Sequence, residues 1–206
     1  MKILISSLLV VFLSMSMISC SESNDSIDAE NKNTEDVLSE MPPYYPINFE
    51  ADGYGATWTW SVFENGNNPA VEIVDNPSKT GVNTSNKVAK ITALQVGSPY
   101  VGCETKHGSD IGSFTFDETN TTVKIMVYKS VISDVGIKFS ESNGEAQPEI
   151  KVSNTKINEW EELTFDFSGS IGKGISGIID QIIIFPDYQS RNADHVVYFD
   201  HITFGN

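Results

Sequence analysis

Short runs of alternating apolar and polar residues recur along the chain from about residue 44 to its end. Residues 122–129 alternate in this way, and residues 135–139 and 162–167 repeat the pattern. Neighbouring side chains of a strand point to opposite faces, so a period of two predicts β-strands with one buried face. Ile182, Ile183 and Ile184 are consecutive, which is typical of a central strand covered on both faces.

Turn-forming residues separate these runs and set the predicted strand order. Strands are predicted at 71–74, 87–94, 100–106, 122–129, 135–139, 150–152, 162–167, 178–185 and 196–204. Glycine, asparagine and proline lie between them, and no long window shows the 3.6-residue period of a helix. The pattern therefore predicts an all-β protein, an antiparallel two-sheet β-sandwich of the jelly-roll type. Its polar outer face is either a plain solvated surface or a ligand platform.

The first 43 residues have a different character. Lys2 is followed by an apolar stretch with scattered serines, as in a secretory signal peptide, and Cys20 comes directly after it. Residues 21–40 hold seven acids, one base and almost no large apolar side chains, which favours a flexible, solvated tether. The predicted division is a signal peptide (1–19), Cys20 with the acidic tether (20–43) and a β-sandwich domain (44–206).

Charge and cysteine content narrow the classes of partner. The chain carries 28 acids and 13 bases, a formal net charge of −15; seven acids and two bases precede residue 44, which leaves −10 on the domain. Nucleic acids and anionic lipid surfaces require clustered Lys and Arg, so the composition argues against both. Two cysteines, Cys20 and Cys103, exclude a disulfide scaffold, and Cys103 is predicted to be a small buried hydrophobe.

The end of the leader resembles a bacterial lipoprotein signal. The small residue Ser19 stands immediately before Cys20. That resemblance implies cleavage before Cys20 and diacylation of its new N-terminus, which would anchor the protein stably in the outer membrane with the domain at the cell surface. The acidic tether is similar to the surface-export signals of Bacteroidetes lipoproteins, and a spacer without an export role is the alternative.

Several short motifs, in order along the domain, resemble non-catalytic carbohydrate-binding modules of the jelly-roll type. They occupy residues 47–50, 58–60, 75–77, 81–85, 160–168, 185–187 and 198–204. The resemblance is to surface glycan-binding lipoproteins of marine Bacteroidetes polysaccharide-utilisation systems. It implies capture of a polysaccharide for uptake and degradation, with uptake-complex proteins as further partners. A structural or adhesion sandwich that binds a protein partner at the outer membrane is the alternative.

The same resemblance implies a structural calcium ion between the first and last strands. Glu50 and Asp200 would supply its carboxylate oxygens, with Asp52 as a weaker third candidate. Ca²⁺ accepts six to eight oxygen ligands in irregular geometry. The alternative is that these residues are ordinary strand-end acids. Trp160 resembles a structural anchor of the family and is not assigned to the ligand site.

A sugar site needs exposed aromatic rings with hydrogen-bonding side chains beside them. Trp58 and Trp60 are two residues apart, so in an extended segment both lie on one side, about 6.5–7 Å from each other; filling the core is the alternative for either one. Tyr128 is expected near Lys124 and Lys138. The further candidates lie at loop edges or on polar strand faces: Tyr100, Tyr128, Lys138, Asp187, Tyr188 and Arg191. Asp187 is expected to accept sugar hydroxyls, and the acidic domain favours a neutral β-glucan such as laminarin over an anionic chain.

Catalytic spacings are missing from the sequence. Jelly-roll laminarinases carry a Glu-x-Asp-x-x-Glu run; Glu50 and Asp52 match its first two acids, but Gly55 occupies the third position. His107, His195 and His201 lie in separate segments without a nucleophile elbow beside them. We therefore predict a binding protein and not an enzyme.

Overall fold

The computed structural model describes residues 45–206 of the chain. The predicted signal peptide, the lipidation site Cys20 and the acidic tether lie outside the described residues. Within residues 45–206, no helix is long and apolar enough to cross a membrane.

Ten β-strands and two short 3₁₀-helices form the described part of the chain. The strands are β1 (Ser61–Phe63), β2 (Glu72–Asp75), β3 (Lys87–Ala93), β4 (Gly102–Glu104), β5 (Thr122–Lys129), β6 (Asp134–Glu141), β7 (Ile150–Ser153), β8 (Trp160–Asp166), β9 (Ile179–Tyr188) and β10 (His195–Gly205). The 3₁₀-helices span Tyr54–Thr57 and Ser168–Ser170.

The strands form two antiparallel five-stranded sheets, and every ladder between named strands is antiparallel. One sheet has the order β1-β4-β9-β6-β7 and the other β2-β3-β10-β5-β8, so the chain passes repeatedly from one sheet to the other. Ile47 forms a bridge with Ile202 of β10, which ties the N-terminal segment to the last strand. The predicted all-β sandwich is confirmed.

The alternation that predicted the strands also fills the core. The predicted inward residues of β5, β6 and β8 are buried between the sheets, and so is Cys103. Trp160 is 2% exposed and donates from Nε1 to Asn76 Oδ1 over 3.0 Å, so its predicted role as an anchor is confirmed. Each of the nine predicted strands overlaps an observed one. Strand β1 was missed because its residues, Ser61–Phe63, show no alternation of apolar and polar side chains.

Candidate functional site

A groove of about 350 Å³ lies on the outward face of the β1-β4-β9-β6-β7 sheet. Strand β9 is central in this sheet, so its outward side chains form the floor, while flanking strands and loops form the rim. The lining combines aromatic, aliphatic and charged side chains: Phe63, Glu64, Tyr100, Glu104, Lys138, Glu149, Ile183, Phe185 and Tyr188.

Two glycines leave room for aromatic rings on the outward face of this sheet. Phe63 pairs with Gly102 across β1 and β4, and Phe185 pairs with Gly136 across β9 and β6. A Cβ atom at Gly102 would lie 2.3 Å from Phe63 Cζ, and one at Gly136 would lie 3.1 Å from Phe185 Cδ2. The rings therefore occupy the space above the glycines and meet edge to face, with centroids 5.7 Å apart. The result is an apolar, aromatic floor.

The next row of side chains adds a charged group on each side of the floor. Glu104 of β4 and Lys138 of β6 both pair with Ile183 of β9, so their backbones are about 9–10 Å apart, twice the spacing between strands. Glu104 offers hydrogen-bond acceptors and Lys138 offers donors. A hydroxyl-rich ring above Ile183 could reach both.

On the β7 side of the groove, Lys151 contacts both Tyr188 and Glu149. Lys151 Nζ lies 3.4 Å from the ring centroid of Tyr188 and 3.2 Å from Glu149 Oε1. Desolvation lowers the pKa of Lys151, but the contacts with Glu149 and Tyr188 outweigh it, so the pKa of this ammonium is raised. Tyr188 also lies 5.8 Å from Phe185, centroid to centroid, which extends the aromatic floor.

Three of the predicted ligand residues come together here. Tyr100 is 45% exposed, and it lines the groove with Lys138 and Tyr188. Sequence reasoning missed Phe63, Phe185 and Glu104. One sequence signal could have found part of this set: glycines at outward strand positions beside a strand that is apolar on both faces.

Two other predicted ligand residues, Asp187 and Arg191, belong to a buried polar network. Neither side chain is exposed. Asp187 accepts hydrogen bonds from Ser133 Oγ and Gln189 Nε2 and pairs with His195 Nδ1 at 2.9 Å. Burial alone would raise the pKa of Asp187, but these hydrogen bonds and the nearby Lys129 outweigh it and hold the pKa below its ordinary value. The carboxylate oxygens are therefore already engaged within the protein.

Lys129 and Arg191 complete the network from two directions. Lys129 Nζ, fully buried, lies 3.5 Å from Asp187 Oδ1, and desolvation lowers the pKa of Lys129 to about 8 against the favourable charge of Asp187. Arg191 donates to the carbonyl oxygens of Leu94, Ser98, Asp187 and Gln189. Arg191 thereby fastens the loop before Tyr100 to the β9–β10 hairpin, which is a supporting role for the groove.

The paired tryptophans lie apart from the groove residues. Trp58 and Trp60 are half-buried and pack on the core, with ring centroids 6.2 Å apart. Trp60 meets Phe199 edge to face at 5.7 Å and donates from Nε1 to the carbonyl oxygen of Gly55. The predicted spacing of the two rings is close to the observed one, and both rings have core contacts.

Tyr128 lies on the outward face of the opposite sheet. Its ring meets Trp160 at 5.6 Å and Tyr198 at 5.8 Å. The expected proximity of Tyr128 to Lys138 is wrong, because β5 and β6 belong to different sheets and these two side chains face away from each other. Sequence order cannot show which consecutive strands cross between sheets.

The predicted calcium ligands lie on either side of the segment before β3. Asn83 Nδ2 donates to Asp200 Oδ2 over 3.0 Å, whereas Asp200 Oδ1 is buried without a hydrogen-bond partner in the described part of the chain. Burial raises the pKa of Asp200 in spite of hydrogen bonds from Ser85 and Asn83. Glu50 Oε1 accepts from the backbone nitrogens of Asn86 and Lys87.

The side chains near Asp200 and Glu50 do not by themselves complete the ligand set of a calcium ion. Asp52 is exposed, and residues 45–206 contain no group of three or more His, Cys, Asp or Glu side chains that could hold a metal. A hard cation here would therefore depend on Asp200, Glu50 and backbone oxygens. The orphaned Asp200 Oδ1 is the observation that favours such a cation.

Sequence comparison finds no matching protein family and no matching curated protein. Among solved structures, the arabinose-bound α-L-arabinofuranosidase MgGH51 has a TM-score of 0.53 at 12% identity, over 78% of this chain and 24% of the enzyme chain. An exo-β-agarase gives 0.51 at 13% identity, over 78% of this chain and 25% of the other. The β-1,4-galactotriose complex of TmCBM61 gives 0.45 at 13% identity, over 77% of this chain and 93% of that one. The chain thus spans about a quarter of the two enzymes, and the likeness shows the β-sandwich fold alone.

Proposed function

We propose that this protein is a non-catalytic glycan-binding lipoprotein of the bacterial outer membrane. It captures a polysaccharide, a neutral β-glucan such as laminarin, in the groove on the β1-β4-β9-β6-β7 sheet, for uptake and degradation by neighbouring proteins. Diacylated Cys20 anchors it, and the acidic tether holds the domain away from the membrane at the cell surface.

The observation that carries this proposal is the floor made by Phe63 and Phe185. Large aromatic rings usually occupy the core of a sandwich, but here glycines hold two of them on an outward sheet face. A sugar ring has a flat face of C–H groups that can stack on the accessible part of such a floor, at Phe63 and the adjoining Tyr100. Glu104 and Lys138 flank the floor and supply hydrogen-bond acceptors and donors for the hydroxyl rim of the same sugar.

The charge of the groove supports a neutral ligand. Its acidic residues are Glu64, Glu104 and Glu149, and its bases are Lys138 and the adjacent Lys151. The ammonium of Lys151 is already paired with a carboxylate. An anionic chain would require several converging unpaired cations, and the negative domain would slow its approach.

The spacing of the groove carboxylates supports binding without hydrolysis. Glu104 lies on β4, and Glu149 immediately precedes β7, three strands away in the sheet, so their backbones are about 14 Å apart. Paired catalytic carboxyl groups of glycosidases are about 5–9.5 Å apart. Glu64 lies three residues beyond Ser61, the β1 partner of Glu104, and is also distant from Glu104 along the strands.

Calorimetric titration of the full chain, in a detergent without a sugar headgroup, tests the proposal. Laminarin is expected to give saturable heat, and alginate, the anionic control, is expected to give none. Heat with alginate alone would overturn the neutral-ligand proposal. No heat with either, or with a wider panel of polysaccharides, would overturn glycan binding itself.

We also propose that a structural calcium ion joins the N-terminal segment to β10. Asp200 and Glu50 would be its carboxylate ligands, with backbone oxygens completing the shell. Three facts support this: Asp200 Oδ1 is buried without a hydrogen-bond partner among residues 45–206, both carboxylates contact the same 83–87 segment, and the Ile47–Ile202 bridge holds the segment around Ile47 beside β10. The ion would neutralise carboxylate charge in an acidic domain.

Calcium is expected to raise the melting temperature. An ion at about 100 times its Kd adds about 2.7 kcal/mol, which corresponds to roughly 5–10 °C for a domain of this size. Thermal unfolding in calcium and in EDTA measures the shift for wild type, for Asp200→Asn, and for the exposed control Glu72→Gln. The shift should persist in Glu72→Gln and vanish in Asp200→Asn. Equal melting temperatures of wild type in calcium and EDTA would refute the site.

One surface feature favours the alternative function, adhesion to a protein partner. The loop between the Ser168–Ser170 helix and β9 exposes Ile171, Ile175 and Ile178 at 40%, 84% and 44%. Glu141 Oε2 accepts from the backbone and hydroxyl of Ser176 and so holds this loop in place. Contiguous exposed apolar patches mark protein contacts, and these three isoleucines lie in one loop. Retention of a partner after Ile175→Ser, with glycan binding intact, would argue against this role of the loop.

A further inference from the structure

The aromatic floor of the groove has an open half and a covered half. Lys151 lies over the Tyr188 ring, with Nζ 3.4 Å from the centroid. Lys138 Nζ is 5.7 Å from the Phe185 centroid, close to the limit of about 6 Å for a cation–π contact. Phe63 has no lysine contact of this kind among the described residues. Phe185 is 5% exposed, so the open half consists of the half-buried Phe63 and of Tyr100, which is 45% exposed and lines the same groove.

Two weak attractions hold Lys151 over Tyr188, the covered half of the floor. One is the cation–π contact with Tyr188, and the other is the ion pair with Glu149, at 3.2 Å. Lys151 is partly solvent-exposed, with 37% of its side chain accessible, so each attraction is modest. The flexible stem of a lysine can move the ammonium off the ring without any change in the backbone.

We infer that Lys151 is a specificity-determining residue that makes the proposed glycan site discriminate by chain length, an inference that rests on the proposed function. A short glycan binds against Phe63 and Tyr100 without meeting Lys151. A longer chain extends past Phe185 to Tyr188, whose ring centroid is 5.8 Å from that of Phe185. To stack there it must displace the ammonium, so Lys151 weakens the gain from additional sugar units.

Titrations with laminaribiose and laminarihexaose test this on the full chain. Lys151→Ala is expected to tighten the Kd for the hexaose by about two- to fivefold, from the size of an exposed cation–π contact, and to leave the Kd for the biose unchanged. The matched control is Lys156→Ala, which removes the same charge from another exposed ion pair, with Glu159 at 2.6 Å. It should change neither Kd.

Each other outcome overturns the inference in an identifiable way. Weaker hexaose binding by Lys151→Ala would make Lys151 a direct hydrogen-bond donor to the ligand. An equal tightening of the hexaose Kd in Lys156→Ala would show that the effect comes from net charge and not from the position of Lys151. An unchanged hexaose Kd in Lys151→Ala, with wild type binding, would overturn this inference alone. Absence of binding by wild type and variants would overturn the β-glucan proposal and this inference together.

A second measurement, which uses no glycan, tests whether Lys151 lies over the Tyr188 ring in solution. The ε-methylene protons of Lys151 should show an upfield ring-current shift in carbon–proton correlation spectra of the full chain, because they lie over Tyr188. The shift should disappear in Tyr188→Leu and persist in Lys156→Ala. An ordinary lysine position for Lys151 in wild type would mean that Tyr188 is uncovered in solution, and the inference would fail whatever the titrations show.

Discussion

Replacing Phe185 with leucine is expected to weaken binding of the glucan by about 10- to 30-fold. Phe185 is 5% exposed and forms the centre of the groove floor between Phe63 and Tyr188. Central aromatic residues of a binding site commonly contribute 2 kcal/mol or more, and each 1.4 kcal/mol changes Kd tenfold. Leucine retains most of the apolar volume and removes the ring against which Phe63 and Tyr188 pack, so the variant tests the aromatic floor apart from simple burial.

Leucine also limits the damage to the fold. Substitutions that conserve hydrophobic volume usually cost less than about 1.5 kcal/mol, whereas truncation of a buried phenylalanine to alanine costs about 3–5 kcal/mol. The melting temperature of Phe185→Leu, measured beside the titration, should therefore remain close to that of wild type. A folded variant with lost affinity assigns the loss to the groove.

The opposite sheet provides the control. Tyr198→Leu makes a similar change on the outward face of β10, where Tyr198 contacts Tyr128, and it should leave the Kd unchanged. If Tyr198→Leu loses affinity and Phe185→Leu does not, the ligand binds on the β2-β3-β10-β5-β8 sheet. In that case Tyr128 would contact the ligand, and the groove would not be the binding site.

The sequence predicted the sandwich well because the signals are local. The alternation of β5 and β8 records which side chains face the core, and each pattern is contained within eight residues or fewer. The triple isoleucine of β9 correctly indicated a central strand. What alternation could not show is the identity of the residues that cover the outward face of that strand.

The groove depends on register between segments that are distant in sequence. Phe63 and Gly102 are 39 positions apart, and their pairing places the Phe63 ring over the glycine. Nothing near Phe63 encodes that partner. Tyr100, Lys138 and Tyr188 were predicted from local exposure and polarity, and the sheet brings them together. Tyr128 had the same local features but lies on the other sheet.

Burial of Asp187 illustrates a second limit of sequence reasoning. A polar residue after Phe185 and Pro186 is typical of a loop, yet β9 continues through Tyr188. Lys129 and Ser133, at the connection from β5 to β6, and His195 of β10 enclose the carboxylate. Only the assembled fold shows that a charge predicted to meet solvent or ligand has protein partners instead.

Replacing Asp187 with asparagine is expected to destabilise the domain by about 3–5 kcal/mol. The substitution leaves the fully buried Lys129 ammonium without its carboxylate at 3.5 Å, and breaking one side of a buried ion pair leaves an uncompensated charge. For a domain of this size that loss lowers the melting temperature by roughly 10 °C. Urea unfolding at pH 7 measures the change in free energy directly.

A double-mutant cycle separates this charge effect from loss of packing. Lys129→Met removes the ammonium and keeps an unbranched apolar chain, so the double variant with Asp187→Asn should recover much of the lost stability. Arg191 keeps its hydrogen bonds to backbone carbonyls in both backgrounds, but it loses the carboxylate of Asp187 at 3.5 Å, so the recovery is incomplete. If the two single effects simply add, Asp187 and Lys129 are not energetically coupled.

The Asp187–Lys129 pair predicts that the stability of the domain changes with pH in two ranges, an acid limb and an alkaline limb. The pKa of Asp187 is held below 3.8, so its contribution is present above the unfolded pKa and is lost as the pH falls through the folded pKa; Asp187→Asn should flatten this acid limb. The pKa of Lys129 is lowered from 10.5 to about 8, so between these values the unfolded chain binds more protons and stability rises with pH. The free energy of unfolding of wild type should therefore increase relative to Lys129→Met from pH 8 to pH 10. A constant difference between the two proteins over that range would show that Lys129 keeps an ordinary pKa, and the buried pair would then be more hydrated than its burial indicates.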